Sequence, residues 1–376
     1  MVDNTKIASE SHVSTNRGKL KIFIGAVPGV GKTYRMLAEA HRRVARGEDV
    51  VIGFVETHGR PATTEMTAGL EQVSLKRIKY RDKVFYELDT AAIIARKPEW
   101  VLVDELAHTN VPGTIHPKRW QSVEEILDAG IKVVSTVNVQ HIESLNDVVF
   151  EITGVRVRET VPDSVIENAD EVELVDLTPD AVINRLRRGD IYHQEKISQA
   201  LANFFRKGNI VALRELALRV TADEVDEQLH QYMDAHKMAQ GKVAREYIVV
   251  SVAPKPLSLR LVRRGYRLAR RTQGEFSCIF VRTPGVMLTK KEEAHLEEIR
   301  ELARNLGGEL IVLLGDSVSE EIIKYVNGFG ATLIVMGQSA KTRANEILRG
   351  SLVNKIMRAT DGVDILIVAE GSTDED

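Results

Sequence analysis

Twice along this chain, short apolar runs alternate with amphipathic helical stretches, and that rhythm limits the fold more than any other feature. From Lys19 to about Val175 the runs KLKIFIG, DVVIGFVE, EWVLVDE and IKVVSTVNV are separated by helix-like stretches such as TYRMLAEAHRRVARG and SVEEILDAG. Strands that read as continuous apolar runs belong to a parallel sheet covered on both faces, because they have no solvent side to keep polar. From Arg245 the rhythm resumes with EYIVVSVA, FSCIFV, ELIVLLG, ATLIVMG and VDILIVAE, again with helices between. The expected class is α/β: a doubly wound parallel sheet over 19–177, a helical connector over 178–243, and a five-stranded α/β domain over 244–370. Polar tails are expected at 1–18 and, strongly acidic, at 371–376.

Composition excludes several classes. The chain has 376 residues, 43% of them hydrophobic, which suffices for more than one packed core. A formal net charge of −3 gives no global basic bias toward nucleic acid or an anionic membrane. No apolar run is long enough to cross a bilayer, and the polar first residues lack the apolar segment of a signal peptide. The single cysteine, Cys278, cannot form an internal disulfide, which fits a reducing cytoplasm.

The stretch FIGAVPGVGKTYRM is a strand, a glycine-rich turn and a helix start. Ala26, Val27, Pro28, Gly29, Val30, Gly31, Lys32 and Thr33 take the spacing of a Walker A phosphate loop, with Ala26 where the first glycine usually stands and Tyr34 opening the helix. Gly29 and Gly31 let backbone N–H groups approach phosphate oxygens, and the helix N-terminus adds its partial positive charge. Lys32 is placed to neutralise the outer phosphates. The run WVLVDE supplies the Walker B pattern, so Thr33 and Asp104 are the expected Mg²⁺ ligands and Glu105 the candidate base for an attacking water. A P-loop NTPase-like domain binding ATP and Mg²⁺ is therefore expected. Polar residues ending other strands should share the same sheet edge: Glu56, Thr57, His58, His108, Thr109, Asn110, Thr136 and Asn138. Asn138 is included with the nucleotide-binding set. Arg60, Lys118 and Arg119 are candidate loop cations.

A second glycine-bearing loop follows LIVM. Gly337, Ala340, Gly350 and Ser351 resemble the Gly-x2-Gly-x9-Gly-Ser/Thr loop of universal stress proteins, with Ala340 in the second glycine's place. These four residues form a candidate second nucleotide site in a universal-stress-protein-like domain. The basic helix LRLVRRGYRLARR is expected to present a solvated face.

The motifs GAVPGVGKTYRML, GFVETHGRP, LVDELAHTNVPG, HPKRWQSVEEILDAGI, TVNVQHIESLNDVV, ITGVRVRETVPD and GNIVALRELALR, in this order, resemble the N-terminal cytoplasmic region of the KdpD sensor-kinase family. In that family the region belongs to the bacterial potassium-uptake two-component system and precedes transmembrane helices and a histidine-kinase core. The resemblance implies an ATP-binding regulatory module in the cytoplasm, linked to potassium homeostasis and osmotic signalling. Its expected protein partner is a kinase core or a response component, and homo-oligomerisation is left open. The sequence shows neither a phosphoacceptor histidine helix nor an Asp-x-Gly-x-Gly box, so it reads as a short form without autokinase activity and at most a weak ATPase. A cyclic di-AMP receptor is a further alternative. Some relatives bind that ligand through a serine pair and an aromatic-rich strand, matched here in part by Ser251, Ala253 and Phe276 to Phe280.

Overall fold

A computed structural model describes residues 17–235, 246–338, 352–360 and 362–369. The chain forms two compact units. The first comprises Met1–His141, Ile152–Val161 and Val165–Glu227; the second comprises Ile142–Glu151, Pro162–Ser164 and Gln228–Asp376.

In the first unit the strands are β1 (Leu20–Gly25), β2 (Val50–Phe54), β3 (Glu71–Gln72), β4 (Lys76–Tyr80), β5 (Lys83–Glu87), β6 (Trp100–Val103), β7 (Lys132–Asn138) and β8 (Glu171–Val175). Six of them make one sheet in the order β3-β2-β6-β7-β1-β8, with every pairing parallel. β1, β2 and β6 are buried along their whole length, as their apolar text requires. The one cation in β1, Lys21, is neutralised by Glu39, Glu171 and Glu173 at 2.9, 2.7 and 3.0 Å. β4 and β5 pair only with each other, as an antiparallel hairpin.

The helices of this unit follow the apolar periodicity. α1 (Lys32–Ala45) packs on β1 and β7 through Met36, Leu37 and Ala40. α2 (Pro61–Glu65) is short, and α3 (Thr90–Arg96) is capped by the Asp89 side chain. α4 (Arg119–Asp128) buries Val123, Ile126 and Leu127. α5 (Asn146–Thr153), most of which belongs to the second unit, and α6 (Asp163–Glu167), whose first two residues do, come before β8. α7 (Pro179–Arg188) starts on a Thr178 cap with proline at its first position and stops at Gly189 in the left-handed region. α8 (Gln194–Ala202) and α9 (Lys207–Ala235) complete the run, α9 burying Ile210, Leu213 and Ala217.

The second unit holds β9 (Tyr247–Ser251), β10 (Glu275–Arg282), β11 (Leu310–Leu314), β12 (Leu333–Gly337) and β13 (Asp364–Val368). They form a five-stranded sheet, β11-β10-β9-β12-β13, again parallel throughout. Alternate side chains feed two cores. Ile248, Val250, Phe276, Cys278 and Phe280 pack under α10 (Leu257–Arg271) and α11 (Lys290–Asn305). Val249, Ile279, Ile334 and Met336 pack under α12 (Val318–Phe329) and α13 (Leu352–Ala359). Both sheets have the doubly wound parallel architecture expected from the apolar runs.

One expectation fails here. The basic face of α10 is not simply solvated, because Arg260, Arg263 and Arg267 are ion-paired with Glu151, Glu143 and Asp147 at 2.6, 2.7 and 2.8 Å.

Candidate functional site

β7 lies between β1 and β6, so the carboxyl ends of these three strands meet at one edge of the sheet. The register sets Gly25 beside Asn138 and Phe23 beside Thr136, while Val103 pairs with Ser135. The turn after β1, the acidic pair after β6 and the polar end of β7 are thereby brought together.

The turn needs its glycines. Gly29 and Gly31 have φ of 87° and 104°, where a side chain is strained. A Cβ on Gly29 would also stand 2.3 Å from the Ile191 side chain. Val27 and Val30 are buried and anchor the turn, Pro28 is half-buried, and Tyr34 is exposed. Lys32 is only 8% exposed, and its ammonium donates to Asn138 Oδ1. Burial, helped by the Arg60 charge, pushes the Lys32 pKa down to about 8 despite Asp104 and Glu105.

Asp104, 2% exposed, is the hub. Its Oδ2 accepts the Thr33 hydroxyl at 3.0 Å and the Glu56 amide at 3.4 Å, and its Oδ1 accepts the Thr136 hydroxyl. Burial, together with Glu105, raises its pKa against these hydrogen bonds and Lys32. Thr33 and Asp104 present two hard oxygens side by side, a donor set that suits Mg²⁺ with water and phosphate completing the shell.

Glu105 follows in the left-handed region, φ 55°, a conformation that costs free energy in a non-glycine residue. Its amide donates to Thr136 Oγ1 at 3.2 Å. Its carboxylate stands 3.3 Å from His58 Nε2 and 3.9 Å from Arg119 Nη1. Burial alone would raise its pKa, but His58, Arg119 and His108 more than offset that, and it is lowered. His58, itself at φ 50°, has its pKa raised chiefly by Glu105.

The candidate cations separate. Arg119 is no loop residue: it starts α4 and is 0% exposed. It lies 3.7 Å over the Phe54 ring, donates to the Asp104 carbonyl at 3.1 Å, and pairs with Glu87 at 3.3 Å. Glu87, 2% exposed at the end of β5, also accepts His108 Nε2 at 3.1 Å and the Val111 amide at 3.0 Å. Lys118 is tied to the Thr109 hydroxyl at 2.7 Å, and Asn110 to the His116 carbonyl at 2.9 Å, so these residues shape the loop. Thr57 accepts the Arg60 amide through its carbonyl at 2.9 Å. Arg60 reaches the Ile191 carbonyl at 3.1 Å. Two residues that sequence reasoning missed, Arg185 and Ile191, contact the turn itself; Arg185 Nη1 donates to the Gly29 carbonyl at 3.0 Å.

In the second unit Gly337 ends β12 against Leu257, whereas Ala340, Gly350 and Ser351 lie outside the described residues. Ser251 ends β9, and the Ser258 hydroxyl bridges the amide and carbonyl of Ala253. Phe276 and Phe280 are core side chains.

Fold and site together define a protein of two parallel α/β units, the first carrying a glycine turn, a lysine and an acidic pair at one sheet edge. The family described as KdpD, osmosensitive K⁺ channel His kinase sensor domain, matches residues 16–225, and the universal stress protein family matches residues 244–368. The chain is 46% identical over 367 residues to a KdpD-type sensor protein of Synechocystis, covering 98% of this chain and 97% of that one. It is 45% identical to the sensor protein KdpD of Mycobacterium tuberculosis and 44% identical to that of Escherichia coli, over 95% and 96% of this chain. It spans only 41% and 40% of the length of those two relatives. The chain belongs to the KdpD sensor family. No helix among the described residues is long and apolar enough to cross a membrane.

Proposed function

We propose that this chain is a cytoplasmic nucleotide-binding sensory module of the KdpD family, with Mg²⁺·ATP as the ligand of the glycine turn. One observation carries the reading: the Lys32 ammonium, the Thr33 hydroxyl and the Asp104 carboxylate converge beyond β1, β6 and β7, on a turn whose glycines both have positive φ. Backbone amides, an ammonium and a helix N-terminus are the elements that hold a polyphosphate. The Thr33 and Asp104 oxygens would hold Mg²⁺, which supplies charge neutralisation on the outer phosphates. Asn138, which accepts from Lys32, is placed to exchange that bond when phosphate arrives. The module acts by differential affinity, with nucleotide favouring one conformation that a kinase core or a response component of the potassium response recognises. Calorimetry with Mg²⁺·ATP tests this. Binding by the wild-type chain that is lost in Lys32→Ala supports it, and a wild-type chain that retains no nucleotide at millimolar concentration overturns it.

A slow ATPase is the second reading, favoured by the placement of Glu105 one residue past Asp104. His58 and Arg119 hold its carboxylate ionised, so it accepts a hydrogen bond from water but is a weak proton acceptor. Turnover is therefore expected to be slow, in keeping with a site that mainly reports nucleotide.

A further inference from the structure

Arg60 stands apart from the other cations of the first unit's sheet edge. Arg119 is neutralised by Glu87, and Lys32 is held by an amide oxygen. Among the described residues no carboxylate lies within ion-pair distance of the Arg60 guanidinium. Its one hydrogen bond runs from Nη2 to the Ile191 carbonyl, and its Nε is buried with no acceptor. A buried cationic donor without an acceptor is costly, and such groups in a site call for an anionic partner. Two residues before it, His58 stands 3.3 Å from the Glu105 carboxylate, and Ile191, which Arg60 bonds, packs against Gly29, so the Arg60 loop runs along the edge that holds the acidic pair and the glycine turn.

The segment it is bonded to crosses the glycine turn. Ile191 packs where a Gly29 side chain would be, and Arg185 at the end of α7 fixes the Gly29 carbonyl. Arg60 is therefore held by a strap that itself rests on the turn, within one compact unit. A guanidinium presents its donors in a rigid fork that suits phosphate oxygens, so Nε and one Nη can engage a phosphoryl group together.

Resting on the reading of the turn as a polyphosphate site, we infer that Arg60 is the residue by which this site tells a nucleoside triphosphate from a diphosphate. Its Nε donates to the terminal phosphoryl oxygens, beyond the reach of the amides that hold the inner phosphates. Arg185 is a positioning residue that keeps the Gly29 peptide oriented.

The test is calorimetric titration of the full chain with Mg²⁺·ATP and with Mg²⁺·ADP, for the wild type, Arg60→Ala and Arg60→Lys. Arg60→Ala is expected to weaken ATP by about ten- to a hundredfold while ADP changes by about twofold or less. Arg60→Lys keeps the charge without the fork and should recover part of the ATP affinity. If Arg60→Ala does not fold, Arg60→Lys alone decides, by an ATP loss larger than its ADP loss. Equal weakening of both nucleotides, or no change in either, overturns the assignment while leaving the site intact. A wild-type chain that binds neither nucleotide overturns the site itself.

Discussion

Arg119 offers the sharpest test of how the acidic pair is supported. Arg119→Met removes a guanidinium that is 0% exposed and keeps most of its length and apolar contact. Three groups lose a partner: the Glu87 carboxylate, paired at 3.3 Å, the more exposed Glu105 carboxylate, 3.9 Å away, and the Asp104 carbonyl, bonded at 3.1 Å. Removing one member of a buried ion pair costs about 3–5 kcal/mol. Two features of this site reduce that. Arg119 Nε is already buried without an acceptor, so its removal relieves a penalty, and Glu87 keeps His108 and the Val111 amide. The net loss is then about 2–3 kcal/mol. For a unit of this size that is a melting shift of roughly 4–12 °C.

Both tryptophans of the chain, Trp100 and Trp120, lie in the first unit, so thermal unfolding followed by tryptophan fluorescence reports that unit selectively. The double variant Glu87→Gln/Arg119→Met should recover part of the loss, because the stranded charge is gone. The pH dependence has a definite sign. In the wild type burial would raise the Glu87 pKa, but His108, the Val111 amide and Arg119 bring it below the ordinary carboxylate value. That stabilisation is present above the unfolded-state pKa and is lost as pH falls through the folded one. In Arg119→Met burial gains ground and the Glu87 pKa rises, so the deficit should be largest near neutrality and shrink as acid protonates the stranded carboxylate. A variant that melts within about 2 °C of wild type at neutral pH, or a deficit that grows on acidification, would refute the reasoning.

Three further outcomes are expected. Lys32→Ala should fold but lose the nucleotide-dependent rise in melting temperature, a stabilisation of about 2.7 kcal/mol at ligand a hundredfold above Kd; an unchanged rise moves the phosphate site elsewhere. Glu105→Gln should retain Mg²⁺·ATP in calorimetry while any phosphate release falls below that of the wild type, and equal release by both proteins removes Glu105 from any role in hydrolysis. Burial in the second unit pushes the Cys278 thiol well above its usual range, so a thiol reagent should modify it only after denaturation; stoichiometric labelling of the native chain would contradict that packing.

Both sheets were legible because their strands are unbroken apolar runs. WVLV is a complete strand, and its end fixes where Asp104 emerges. The β4–β5 hairpin was not legible. Its strands KRIKY and KVFYE carry few buried side chains, and the turn between them is Arg81-Asp82, with φ of 47° and 59°. Such a two-residue turn usually announces itself with asparagine and glycine, and here neither is present. Within the site, Lys32, Thr33 and Asp104 could be read because a local motif and the strand ends place them. Arg119 was misread as a loop cation because RWQSVEEILD opens with it, and nothing local shows that a helix start points into the core. Its partner Glu87 lies 32 residues earlier, in the hairpin that was missed. Arg185 touches Gly29 across 156 residues and Ile191 bonds Arg60 across 131, and the text NRLRRGD looks like any basic helix end.

On the proposed nucleotide reading, the charges at this edge suit reporting better than rapid chemistry. Each cation near the acidic pair has an assignment except two. Arg119 belongs to Glu87, and His58 belongs to Glu105. Lys32 bonds a neutral amide, and Arg60 bonds a neutral carbonyl. On the proposed reading those two keep their attraction for a polyphosphate: Lys32 would exchange its bond to Asn138, whereas Arg60 offers an Nε without an acceptor and can keep Nη2 on the Ile191 carbonyl. Binding would thus be tied to rearrangement at the end of β7, where Lys32 leaves Asn138. Glu105 is the opposite case. Its partners stabilise the ionised form, which lowers the driving force for taking a proton from water. If the proposed site holds a nucleotide, a lysine that must exchange partners and a Glu105 held ionised favour registering the ligand over hydrolysing it.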